Sequence, residues 1–429
     1  MRISLTALSL LVAVSLLAAC GGGGRGGGGG GSTSTGGSAA PAPSPSPSTP
    51  VVEQPAPPVP ANAANVMTVT VDGGANGNYP NGLFASATVC QPGTSNCRTI
   101  DRLLVDTGSF GLRVMSSALG DQVLGTLPAQ RGAVTDNGLS PLGQCAQFIS
   151  GYTWGSVRQA DVQLAGERIA SLPIQVIGDT SSVGPVPVSC QNAGGTSLSS
   201  VDDLGANGIL GVGLFTNDCP ACTSQAITAV YYTCPAGGSC APAQVPAAQQ
   251  VVNPVARLRV NNNGVVLTLP AVPDLGLAKA TGTLTFGIGT QSNNALATNR
   301  ILQTDAFGFI QTRVDGTLYR SSFIDSGSNA LFFPSATLPV CGGVWYCPAD
   351  TVTMNATLMD AAGGNAQSLN FDIANVTRLL ASGNKAFDNL GGNATADFDW
   401  GLPFFYGRTV YTAIQGRQAG SAVGPYVAY

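Results

Sequence analysis

Leu103-Leu104-Val105-Asp106-Thr107-Gly108-Ser109-Phe110-Gly111-Leu112 has a counterpart at Ser322-Phe323-Ile324-Asp325-Ser326-Gly327-Ser328-Asn329-Ala330-Leu331. Each copy sets three mainly apolar, strand-like residues before Asp, then hydroxyl-Gly-Ser, then Leu three residues after that Ser. Taken alone, Asp-Thr-Gly-Ser is a good turn, because Asp and Ser bond nearby backbone and Gly tolerates unusual dihedrals. Two copies 219 residues apart, each launched from a buried-looking strand, point instead to two similar halves that each contribute one carboxylate.

Two carboxylates held close cannot both ionise cheaply, so they share a proton. One then takes a proton from water while the other donates to a carbonyl oxygen, which hydrolyses an amide without histidine, metal or covalent intermediate. The composition suits that chemistry. The chain has no histidine, which removes Ser-His-Asp and Cys-His catalysts and every zinc site that needs imidazole. In this scheme Asp106 and Asp325 are catalytic. Gly108 and Gly327 let backbone N–H groups approach the carboxylates. Thr107 and Ser326 tie the loops together, and Ser109 and Ser328 hold the outer carboxylate oxygens.

Around this pair the body reads as strands. Val66–Val71, Ala160–Leu164, Leu172–Ile177, Val265–Leu269, Gly282–Gly287 and Thr409–Ile414 alternate or cluster β-branched residues between Gly, Asn and Asp turns. Val376–Ala381 is the best helical segment, and 57 glycines argue against a helical bundle. Charged side chains make up 9% of the chain, against roughly 25% in an ordinary domain. With net charge -4 and only two lysines, Lys279 and Lys385, no nucleic-acid surface is expected.

Residues 1–20 carry one cation, Arg2, a mostly apolar run and Leu17-Ala18-Ala19-Cys20. They are expected to be a signal peptide, with Cys20 the lipidated first residue of the mature protein. Gly21 after Cys20 is similar to sorting patterns that send Gram-negative lipoproteins to the outer membrane, facing the periplasm or the surface. Residues 21–64, rich in Gly and then Pro, Ala and Ser, are expected to be a flexible tether. Of 11 cysteines, removing Cys20 leaves ten, an even number for an oxidising compartment. Cys90/Cys97 and Cys341/Cys347 can staple local loops, and Cys145/Cys190 can close a longer one. Cys219, Cys222, Cys234 and Cys240 form either two disulfides or a four-thiolate zinc site.

The two Asp loops resemble those of the pepsin-like aspartic peptidases, and the likeness covers most of residues 65–429. Gly208-Ile209-Leu210-Gly211-Val212-Gly213 resembles the family's strand behind the first loop, and Gly282–Gly289 the strand opening the second lobe. Trp400–Phe405 and Val423-Gly424-Pro425 resemble its closing segment. The resemblance implies a mainly β, bilobal pepsin-like acid-protease fold with the active-site cleft between two β lobes, here 65–255 and 256–429. It implies a lipid-anchored aspartic endopeptidase acting on peptide or protein substrates, with no cofactor and no metal, expected to be a monomer. The flap tyrosine is expected at Tyr152, 46 residues after Asp106, with Trp154 as the other candidate. The chain also resembles a set of Gram-negative lipoproteins with the same pattern, from which no activity carries over.

The chain departs from the family in three places. The flap hairpin looks short, Arg113 stands where a large aromatic or aliphatic is common, and Asp399-Trp400-Gly401 replaces two aliphatics and Gly. Asp399 either adds a third carboxylate to the site or pairs with an arginine such as Arg408. The alternative function is a catalytically silent pepsin-fold binding or scaffolding lipoprotein of the cell envelope.

Overall fold

The computed structural model describes residues 63–429. The expected signal peptide, the lipidated Cys20 and all but the end of the tether lie outside the described residues. No helix among the described residues is long and apolar enough to cross a membrane.

The alternating segments fold as strands with their apolar faces inward. Strand β1 (Val66–Asp72) buries Val66, Met67, Val69 and Val71 and exposes Thr68, as a half-buried strand requires. Then follow β2 (Gly82–Cys90), β3 (Cys97–Asp106), β4 (Phe110–Met115), β5 (Leu142–Phe148), β6 (Gly151–Leu164), β7 (Glu167–Ile177) and β8 (Gly208–Val212). They belong to a 15-stranded sheet that continues through β1 into Ala280–Phe286, Gly264–Thr268, Thr409–Ala413, Tyr426–Ala428 and Ile301–Gln303. A separate nine-stranded sheet is built from segments between Ile310 and Trp400. The boundary expected at 255/256 therefore lies within a stretch whose flanking strands share one hydrogen-bonded sheet. The architecture is mainly β and two-lobed, as expected. Val376–Ala381 is a helix, capped by Asn375 accepting from the N–H groups of Thr377 and Arg378.

Both halves repeat one local topology around their Asp loop. Strand β3 runs into Asp106 alongside β8 in parallel, with Leu104 opposite Ile209 and Asp106 opposite Gly211. Strand β4 leaves the loop and pairs with β8 antiparallel. In the second half, Thr317–Ile324 runs parallel to Asp399–Trp400, with Phe323 opposite Asp399 and Ile324 opposite Trp400. Leu331–Phe333 leaves that loop antiparallel to the same segment. One core cluster runs from Met67 to Tyr429 and spans both halves.

Five disulfides join Cys90–Cys97, Cys145–Cys190, Cys219–Cys222, Cys234–Cys240 and Cys341–Cys347. Their sulfurs are bonded to each other, so the four cysteines between 219 and 240 are cystines rather than zinc thiolates.

Candidate active site

Parallel pairing delivers both Asp residues to the ends of buried strands at the junction of the halves. Asp106 and Asp325 are both buried. The Gly108 N–H donates to Asp106 Oδ1 at 2.8 Å and also to Asp325 Oδ1 at 3.0 Å. One donor thus serves both carboxyls. A serine hydroxyl meets each outer oxygen. Ser109 Oγ donates to Asp106 Oδ2 at 2.5 Å, and Ser328 Oγ donates to Asp325 Oδ2 at 2.9 Å. Ser109 N–H reaches Asp106 Oδ1 at 3.1 Å, and Gly327 N–H reaches Asp325 Oδ1 at 2.7 Å.

The glycines permit this approach by having no side chain. A Cβ on Gly108 would lie 2.7 Å from Asp325 Cγ, and one on Gly327 would lie 2.7 Å from Asp106 Cγ. Beneath them Thr107 and Ser326 are buried and bonded across the junction. Ser326 N–H donates to Thr107 Oγ1 at 3.0 Å and Thr107 N–H to Ser326 Oγ at 3.2 Å. Ser326 Oγ donates onward to the Val105 carbonyl at 2.8 Å, and Thr107 Oγ1 to that of Ile324 at 3.4 Å. Burial, and then the Asp106 charge, push the Asp325 carboxyl well above the usual range. Six of the expected site residues, Thr107, Gly108, Ser109, Ser326, Gly327 and Ser328, thus converge on the two carboxyls.

Residues 61–429 match the family described as "Protein of unknown function (DUF3443)". The chain belongs to this family. No curated protein matches it. Among solved structures, the DUF3443 chain is similar to the aspartic proteinase from Irpex lacteus, at 15% identity and a TM-score of 0.48, over 85% of this chain and 96% of that one.

In the DUF3443 chain the tyrosine sought by spacing packs in a core, while another is acted on by the charge of both carboxyls. Strands β5 and β6 form a hairpin whose tip is Ile149-Ser150, with Phe148 opposite Gly151. Tyr152 and Trp154 lie on the same face of β6 and are both buried against the Cys145–Cys190 disulfide, Val183 and Tyr232. Trp154 Nε1 donates to the Gly184 carbonyl at 3.1 Å. Both aromatics belong to a buried cluster of the first half. Tyr79, in the loop from β1 to β2, is the aromatic that senses the site. Burial, then the Asp106 and Asp325 charges, push its phenol up to about 12. Its ring packs edge-on against Phe84. The neighbouring Asn81 bonds the carbonyls of Asn329 and Phe387 at 2.9 and 2.8 Å, which stitches this loop to the second half. No motif or spacing marks Tyr79. Only its place in a Gly- and Asn-rich turn before a strand hinted that the chain bends there.

The departures resolve as packing and charge. Arg113 is buried; its Nη2 pairs with Asp218 Oδ2 at 3.2 Å and its Nη1 donates to the Phe110 carbonyl at 2.7 Å. Tyr231 donates to Asp218 Oδ1 at 2.6 Å, so the disulfide-rich 219–240 segment is locked to the strand leaving the first Asp loop. Asp399 is buried on the strand beside the Asp325 loop. Arg408 instead donates to the Phe404 carbonyl at 2.7 Å and lies 4.9 Å over the Phe404 ring. Among the described residues no group of three or more His, Cys, Asp or Glu has an arrangement that could hold a metal.

Proposed function

We propose that this DUF3443 protein is an aspartic endopeptidase, working through a water held between Asp106 and Asp325. The observation that carries the reading is the shared Gly108 N–H, which brings the inner oxygens of two buried carboxyls to one point. Asp106, accepting from Gly108 N, Ser109 N and Ser109 Oγ, is the carboxylate that takes the water proton. Asp325, whose proton is held by burial and by its neighbour's charge, donates to the scissile carbonyl oxygen. The resulting tetrahedral centre collapses when a proton passes to the leaving amine. Tyr79, whose phenol burial and the two carboxyl charges push up to about 12, stays neutral throughout.

The proposed setting is the cell envelope, with the chain anchored by lipid on Cys20 and tethered through residues 21–64. Five disulfides support an oxidising compartment. Mass analysis of the mature amino terminus tests the anchor, which requires a diacylglyceryl thioether on Cys20 that Cys20→Ala abolishes.

The activity is tested by incubating oxidised wild type and Asp325→Asn with a mixed peptide library from about pH 3 to about pH 8 and identifying new termini by mass spectrometry. The proposal expects acid-favoured cleavage by the wild type, reduced about 10²–10⁴-fold or more in the variant. No cleavage by folded wild type sinks it in favour of a binding protein on the same fold.

A further inference from the structure

Strand register makes the two halves comparable residue by residue. Leu104 lies opposite Ile209 on the first crossing strand, two residues before the loop Asp; Phe323 lies opposite Asp399 on the second, again two residues before the loop Asp. Asp399 is therefore the counterpart of Ile209, an apolar residue that is 2% exposed. A carboxyl has taken the place of an aliphatic side chain, and it is only 5% exposed itself.

Among the described residues, the charges that act on it are carboxyls alone. The ion pairs Arg102–Asp72, Arg113–Asp218, Arg158–Asp179 and Arg168–Asp161 all leave Asp399 out. On the strand in parallel register with it, Arg320 is exposed; on the other neighbouring strand, Leu331–Phe333 carries no charge. Arg408 is engaged with Phe404. The charged groups that act on Asp399 are two carboxyls, Asp325 and then Asp106. Its Oδ1 is buried with no hydrogen-bond partner, and Ser328 lies against the same segment, its carbonyl accepting from the Leu402 N–H at 2.7 Å. Phe398 stacked on Trp400, with Phe404 edge-on to it, fixes the segment, and Trp400 Nε1 donates to Thr312 Oγ1 at 2.9 Å.

An ionised carboxylate in such a place would cost several kcal/mol with nothing to offset it. We infer that Asp399 remains protonated in the folded protein and donates its O–H to Ser328 Oγ, acting as a positioning residue that aims the Ser328 hydroxyl at Asp325. The hydrogen count requires this direction. Ser328 has one hydroxyl hydrogen, and it is directed to Asp325 Oδ2 at 2.9 Å. Its oxygen can then only accept from Asp399, which must supply the proton. The chain Asp399→Ser328→Asp325 makes the site a three-carboxyl unit, and donation into Ser328 strengthens its own donation to Asp325. Burial and then the Asp325 charge push the Asp399 carboxyl well above its ordinary range; Ser328 opposes them, and the Asp106 charge adds to them least. The catalytic meaning of this chain rests on the dyad reading above; the protonation itself does not.

The first test therefore needs no turnover. Reversible urea unfolding of the oxidised full chain is followed between about pH 4.5 and about pH 7 for wild type and Asp399→Asn. A proton kept by folded but not unfolded Asp399 makes the wild-type unfolding constant rise about tenfold per pH unit relative to the variant. Asp399→Ile, copying Ile209, serves the same comparison if the Asn variant fails to fold. Curves that differ by a pH-independent amount overturn the inference. The second test is the pH–rate profile. Asp399→Ile is expected to move its limbs to higher pH, because the carboxylate form of Asp325 loses part of its hydrogen-bond support, and Asp399→Asn, which still donates to Ser328, restores them. A profile unmoved by Asp399→Ile in an active enzyme overturns the positioning role. An inactive wild type with the expected unfolding slope sinks the peptidase reading alone.

Discussion

Thr107 and Ser326 hold each other across the molecule, each side-chain oxygen accepting the other residue's backbone N–H, at 3.0 Å to Thr107 Oγ1 and 3.2 Å to Ser326 Oγ. The two hydroxyls then donate to carbonyls in the opposite strands. Four bonds thus fix the spacing of the loops that carry Asp106 and Asp325. Thr107→Val keeps the shape but strands a buried N–H and removes a donor. It is expected to cost about 1–3 kcal/mol in urea unfolding. Activity should fall further than stability, because the carboxyl spacing loosens; kcat measured on fully folded protein checks this.

Gly327→Ala tests the close approach directly. Its Cβ would lie 2.7 Å from Asp106 Cγ, so one loop must retreat. The expected outcome is a stability loss of about 1–3 kcal/mol with kcat/KM reduced about a hundredfold or more. Wild-type kcat/KM in this variant would show that the two carboxyls need not meet.

Tyr79→Phe and Tyr152→Phe separate the two tyrosines. Tyr79 senses both carboxyls, whereas Tyr152 packs against the Cys145–Cys190 disulfide. Removing the Tyr79 hydroxyl is expected to lower kcat/KM several-fold and to change its pH dependence. Removing that of Tyr152 is expected to leave both in place and to change only thermal stability, by a small amount. Equal kinetic losses would return the flap role to Tyr152.

Acid stability has a definite sign. Asp179 is buried, which works to raise its carboxyl, but hydrogen bonds from Ser156 and Ser181 and the Arg158 ion pair outweigh burial and hold it below the ordinary value. A depressed carboxyl contributes stability above its unfolded pKa and loses it as pH falls through the folded one. Asp179→Asn should therefore cost about 3 kcal/mol near neutrality, and its deficit should shrink below about pH 4. Asp325 and Asp399, shifted upward, act oppositely and erode stability as pH rises. Urea midpoints across that range check both limbs, with maximal stability expected on the acid side of neutral.

The Asp loops were legible in the primary structure because their chemistry is local. Asp, hydroxyl, Gly and Ser must stand in that order for a strand to end, turn tightly and present its own N–H groups to its own carboxylate. A motif that occurs twice declares a pair even before the halves meet. The strands were legible for a similar reason, since Val66–Asp72 or Thr409–Ala413 states its buried face by alternation. Disulfide parity also followed from counting, although the pairing of Cys219 with Cys222 and of Cys234 with Cys240 did not. Nothing local, however, says what lies across a junction. Tyr79 precedes Asp106 by a whole strand pair and comes under the charge of both carboxyls in a loop that Asn81 pins to Asn329 and Phe387. Tyr152 stands at a promising spacing, but the period of two on β6 turns it with Trp154 into a core. Asp399 had two open readings, since a carboxyl near an arginine in sequence can pair with it or not. The packing of Phe404 under Arg408 and the register of Phe323 with Asp399 decided between them, because burial and distance to a charge exist only after the chain has folded.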